Sequence, residues 1–166
     1  MSADYLMSSL PAVPFDGPAP LPLAEFLARC RAELGYEPLA DGDSRAEARR
    51  WRDLDAQMRN TAAEMRAKAL GADASRYRRA TPGCSLYWRN RISAAFAETD
   101  PMKRQTAVDR AFWDAAGELT PPAAPLSAAA AYTYRVRLEI ALRRAAVSRE
   151  EGNRVFDAVA SAPEKD

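Results

Sequence analysis

Between Ser44 and Leu70 the chain reads SRAEARRWRDLDAQMRNTAAEMRAKAL, and Trp51, Leu54, Met58, Ala62, Met65 and Ala69 recur at spacings of three and four. Such spacing gathers them on one stripe of a helix, with Arg49, Arg50, Arg52, Asp53, Asp55, Arg59, Glu64, Arg66 and Lys68 over the remaining surface. No glycine or proline interrupts the run. At about 1.5 Å per residue it predicts a rod roughly 40 Å long, which we expect to organise the rest of the chain.

The pattern changes on either side. Residues 3–10 carry Tyr5, Leu6, Met7 and Leu10 without a long helical period and read as a short strand or an extended segment. Pro11, Pro14, Pro18, Pro20 and Pro22 then hold the backbone extended, since each fixes its own φ and turns its predecessor away from helix. Residues 1–22 are thus an extended arm, anchored by Tyr5, Leu6, Leu10 and Phe15 against the chain's own helices. From Leu23 the period becomes helical, with Phe26, Leu27, Cys30 and Leu34 on one face and Gly35 as the stop. Residues 36–43 form a loop, and Asp43 or Ser44 is placed to cap the long helix, which Gly71 ends.

Beyond it, Pro82-Gly83 marks a turn, and residues 86–97 suit a helix burying Ile92 and Phe96. Asp100-Pro101 is a cap with a first-turn proline, opening a helix to about Glu118 with Val108, Phe112, Ala115 and Leu119 inward. Pro121, Pro122 and Pro125 break it. Ser127 then caps a second long helix, with Tyr134, Leu138, Ala141, Leu142 and Ala145 as its stripe and Arg135, Arg137, Arg143 and Arg144 on the flanks. Ser148 to Glu151 has capping-box spacing, which predicts a last short helix carrying Val155, Phe156 and Val159. The expected fold is all-α: about six helices, two of them long, in a single domain over residues 23–166.

Composition adds mainly exclusions. The two cysteines, Cys30 and Cys84, lack paired spacing and histidine is absent, so zinc and haem signatures are missing and both thiols are expected reduced. Seven singly scattered glycines make no phosphate loop, and no serine sits in a Gly-x-Ser-x-Gly elbow. Asp53 with Asp55, and Glu150 with Glu151, are too close in sequence to converge from one helix. We therefore expect no enzyme activity and no cofactor. No apolar run approaches the roughly 20 residues of a membrane span, and Asp4 stands where a signal peptide would be positive. A cytoplasmic protein is expected.

The net charge of +1 hides an asymmetry. Residues 1–43 hold two arginines against seven acids, whereas residues 74–97 hold five arginines and no acid. Within that island Arg76-Tyr77-Arg78-Arg79 and Tyr87-Trp88-Arg89-Asn90-Arg91 combine cations with rings, as single-stranded nucleic acid binders do. An acidic protein surface or a solvated loop accounts for the same composition, and we place those readings ahead of nucleic acid. Asn60, mid-helix beside Met58 and Ala62, calls for a hydrogen-bond partner on a neighbouring element or for a place in solvent.

Four stretches resemble a bacterial family associated with V/A-type ATP synthases, itself similar to the central-stalk component of those rotary enzymes that corresponds to the d-type subunit of vacuolar ATPases. The first is Tyr5-Leu6-Met7-Ser8-Ser9-Leu10-Pro11 followed by Pro20 and the helix from Leu23 to Cys30. The second is Met58-Arg59-Asn60 with Met65-Arg66-Ala67, similar to an L-R-N…R-A pattern. The third joins Asp100-Pro101-Met102 to Val108-Asp109-Arg110-Ala111-Phe112-Trp113-Asp114, and the fourth runs from Ala131 to Ile140 with Glu151-Gly152 and Phe156 after it. Met58 and Val136 stand where the pattern carries leucine. The resemblance implies a non-catalytic structural or coupling subunit seated between the rotary shaft and the proteolipid ring, peripheral to the inner membrane through its complex. Arg59, Asn60, Arg66, Tyr134, Arg135 and Arg137 are the structural or contact positions it suggests.

Overall fold

The computed structural model describes residues 2–147. Among them lie six α-helices and no strand: α1 (Ala3–Ser9), α2 (Leu23–Leu34), α3 (Ala46–Leu70), α4 (Leu86–Ala95), α5 (Pro101–Gly117) and α6 (Ala128–Ala146). A single 3-10 turn, Ser75–Tyr77, lies in the α3–α4 connection. No described helix is long and apolar enough to cross a membrane.

Several ends follow local chemistry. Asp100 accepts from the amides of Met102 and Lys103 at 2.7 and 3.2 Å, and Pro101 occupies the first turn, where its missing N–H costs nothing. Gly35 and Gly71 close α2 and α3 in the left-handed region, at φ 76° and 64°, which an L side chain resists.

Four sequence expectations need correction. Residues 3–9 are helical rather than extended, because Ser2 caps the Asp4 amide and Leu6 turns into a core shared with α2 and α6. Tyr5, expected to anchor the arm, is exposed. Neither Asp43 nor Ser44 caps α3: Arg45 holds the N-cap position, and Asp43 spends its carboxylate on the loop before it. Ser127 precedes α6 as expected, but its buried hydroxyl finds no partner among the described residues. The helix expected after Ser148 lies outside the described residues.

The element that ties the fold together is α6, not α3. Residues two apart on a helix point roughly 200° away from one another, so 132, 136 and 140 face opposite to 134 and 138. Tyr132, Val136 and Ile140 enter one core with Trp51 and Met58 of α3, Trp88 and Ile92 of α4, and Val108 and Ala115 of α5. Ala131, Tyr134 and Leu138 enter a second core with Leu6, Leu21, Phe26 and Cys30. The α3 stripe is buried from Trp51 to Ala62, only partly at Met65, and exposed at Ala69. The arm between α1 and α2 spans both cores. Leu21 fills the smaller one, while Phe15 meets the edge of Trp113 at 5.3 Å and lies beneath the guanidinium groups of Arg110 and Arg144.

Candidate functional site

The six residues suggested as structural or contact positions separate by where α3 and α6 turn them. Tyr134 is buried, stacked on Phe26 at 4.9 Å, and donates its hydroxyl to the Pro11 carbonyl at 3.0 Å. Burial pushes its phenol up to about 12. Arg135 bridges Glu139 at 2.8 Å and donates to the Pro38 carbonyl, tying α6 to the loop after α2. Asn60 is buried and makes a reciprocal pair with the Arg79 backbone, Nδ2 to the carbonyl and amide to Oδ1, both at 2.8 Å. Arg137 is half-buried 5.2 Å from the Trp113 ring and donates Nε to the Trp113 carbonyl at 3.3 Å. These four hold elements together.

Arg59 and Arg66 instead stand at a trough between α3, α5 and α6. Its first section, a cavity of 270 Å³, has walls of Trp51, Ala62, Val108, Phe112, Val136 and Ile140, with Arg59, Arg66 and Arg143 beside the carboxylates of Asp55, Asp109 and Glu139. A second section of 420 Å³ shares Gln105, Asp109 and Arg143 and runs on to Met102, Thr106, Arg144 and Val147. The Arg59 guanidinium chelates Asp55 one turn back, with Nε at 2.8 and 2.7 Å from the two oxygens, and lies 5.7 Å from the Phe112 ring centre. Arg66 lies over the Phe96 ring at 5.7 Å and makes no ion pair among the described residues.

Asp109 is the junction of the two sections, with its side chain 4% exposed. It accepts from Gln105 Nε2 at 2.8 Å and Arg143 Nη2 at 2.7 Å, with Arg144 a further 3.9 Å contact. A buried carboxylate demands such company, because an unpaired one loses its hydration without return. Sequence reading placed Arg143 and Arg144 on a flank but passed over Asp109 and Gln105 as partners. The usable signal was an acid next to Val108 and one turn before Phe112, both expected on the inward side of α5. Each trough carboxylate thus already faces a cation, and the exposed guanidinium edges and aromatic rings are what the trough offers to acidic, ring-bearing groups.

The basic island is folded back on α3 by two amide side chains. Asn60 holds Arg79, and Gln57 Oε1 accepts from the Ser85 amide at 2.8 Å. Arg78 and Arg89 reach the same carboxylate, Glu64, at 3.4 and 3.3 Å, which brings the two halves of the island together. Arg91 pairs with Asp114 at 2.6 Å and donates to the Tyr87 hydroxyl at 3.3 Å. Three of the five arginines are therefore matched internally, while the Arg76 and Arg79 side chains have no ion pair among the described residues. Tyr77 and Tyr87 stay exposed.

No group of three or more His, Cys, Asp or Glu among the described residues is arranged to hold a metal ion. Known family models, curated proteins and solved structures yield no match to this chain.

Proposed function

We propose that this protein is a non-catalytic structural or coupling subunit, or an accessory protein, of a V/A-type ATP synthase, working through its surfaces. The observation that carries this reading is where the resembling stretches fall. Pro11 from the first stretch meets Tyr134 from the fourth, and Asn60 from the second clamps the loop before α4. Asp109 from the third receives Arg143, just beyond the fourth. The resemblance therefore follows the joints that hold the helices together, and not one isolated helix. At the trough Arg59, Arg66 and Arg143 supply charge, and Phe112 a ring, for an acidic partner surface.

Affinity-tagged full-length protein, isolated from its native cells under gentle conditions, is expected to bring shaft or ATPase-head subunits with it in constant proportion. Isolation of the protein alone under those conditions would overturn the proposal.

A further inference from the structure

A third feature lies apart from both the trough and the basic island. The proline arm, the end of α5 and the first turns of α6 enclose a cleft of 410 Å³, walled by Met7, Leu10, Val13 and Leu126, with Thr120 and Arg137 inside. The Tyr134–Pro11 hydrogen bond fixes the arm that forms one wall. Among the described residues that line it, Arg137 supplies the only charge. Burial lowers its proton affinity, so its charge is already held at some cost.

Among the described residues the charge makes no ion pair. A guanidinium carries five N–H donors, and among the described residues only Nε of Arg137 has an acceptor, the 3.3 Å contact to the Trp113 carbonyl. The neighbouring acid, Asp114, is taken by Arg91 at 2.6 Å. The threonines provide no competing donor: Thr133 donates to the Ala116 carbonyl at 2.7 Å, which leaves the Thr120 hydroxyl to donate to Thr133 at 2.7 Å. Gly117 leaves room for the guanidinium, since a Cβ there would lie 3.0 Å from Arg137 Nη2. The cleft thus joins one underused, half-buried cation with aliphatic walls.

We propose that this cleft binds a carboxylate carried on an aliphatic chain, the carboxylate on the two Nη groups of Arg137 and the chain against Leu10, Val13 and Leu126. A bidentate guanidinium–carboxylate pair fits the planar fork, and apolar walls strengthen it by excluding water. The same chemistry is carried by a free fatty acid and by a partner chain ending in an aliphatic residue. The inference stands on the cleft alone and does not require the ATP synthase reading.

The test is a titration of the isotope-labelled full chain, followed by NMR at the Arg137 Nε–H and the Met7 methyl. The ligands are octanoate, octanol, and a peptide ending in Leu-Leu with a free or an amidated C-terminus. Octanoate or the free-acid peptide is expected to shift both signals, with octanol and the amide at least about tenfold weaker. Preference for octanoate points to a fatty acid, and preference for the peptide to a partner's C-terminus. Arg137→Gln should abolish the shift at the Met7 methyl; should that variant unfold, Leu126→Glu on the exposed wall should weaken the response about tenfold by repulsion alone. Absence of any shift, equal shifts from octanol, or a response unchanged in Leu126→Glu would each overturn the proposal.

Discussion

Replacing Asp43 by alanine should be among the most damaging single changes in this protein. The side chain is 1% exposed and accepts four hydrogen bonds: from the Leu39 amide at 3.0 Å, the Arg45 amide at 3.1 Å, the Arg45 guanidinium at 3.0 Å and the Tyr132 hydroxyl at 2.9 Å. Those bonds fix Leu39 at φ 61°, a left-handed conformation a leucine adopts only when held there, and they satisfy a tyrosine that is itself 1% exposed. Truncation strands the Tyr132 hydroxyl, releases the strained turn and removes charge-assisted bonds. Because these losses overlap, we expect about 3–5 kcal/mol in all, not the sum of four bonds. Tyr132→Phe leaves three donors in place and should cost about 1–2 kcal/mol.

The assay is urea unfolding followed by tryptophan fluorescence on both single variants and the double variant. A loss of this size corresponds to roughly 10 °C in Tm for a chain of this length. The pair should be non-additive by about 1 kcal/mol or more, since each removes the same bond. Burial by itself would raise the Asp43 carboxyl, but its donors outweigh burial and hold it below its ordinary value. Its stabilisation is therefore complete above the unfolded carboxyl range and disappears as pH falls through the folded value, below about pH 4. Asp43→Asn should flatten that part of the acid-unfolding curve. An Asp43→Ala variant within about 0.5 kcal/mol of wild type, or strictly additive losses, would refute this account of the loop.

Other parts of the structure make separate predictions. Asn60→Ala removes both bonds to Arg79 and should cost about 1–2 kcal/mol while markedly speeding tryptic cleavage after Arg76, Arg78 and Arg79, read by mass spectrometry. Unchanged cleavage would mean the loop is held by something else. Cys30 is buried, its thiol pushed up to about 12 by burial ahead of any charge, whereas Cys84 is exposed. A disulfide reagent at pH 8 should accordingly modify Cys84 rapidly and reach Cys30 only with unfolding, and Cys84→Ser should remove the rapid phase. Asp109→Asn leaves Arg143 and Arg144 without their buried counter-charge and should lower stability by about 1–3 kcal/mol, measured by urea titration.

The parts legible in the sequence are those set by local chemistry. Asp100-Pro101 announced the start of α5, Gly35 and Gly71 announced stops, and the phases of α2 and α3 followed from their apolar spacing. Residues 3–9 misled because seven residues hold too little period to distinguish a short helix from an extended segment, and the decision rests on Leu6 finding a pocket between α2 and α6. The role of α6 was obscured because two apolar stripes on opposite sides overlap in the linear pattern, and a single stripe through Tyr134 and Leu138 accounts for half of it. Asn60 showed itself as out of place, but its partner nineteen residues later is a backbone group that no side-chain pattern reveals. The trough escaped for the same reason: Asp109 and Arg143 are 34 residues apart and meet only once α5 and α6 are packed in register.

The proposal that the protein seats an arginine-lined helical face against subunits of a V/A-type ATP synthase is tested most directly by site-specific photo-cross-linking in native cells. A photoreactive amino acid placed at Arg66, in the trough, is expected to cross-link to a shaft or head subunit, while the same group at Arg29 on α2 should cross-link far less. Equal capture from the two positions, or failure to capture any ATP synthase component from position 66, would contradict it.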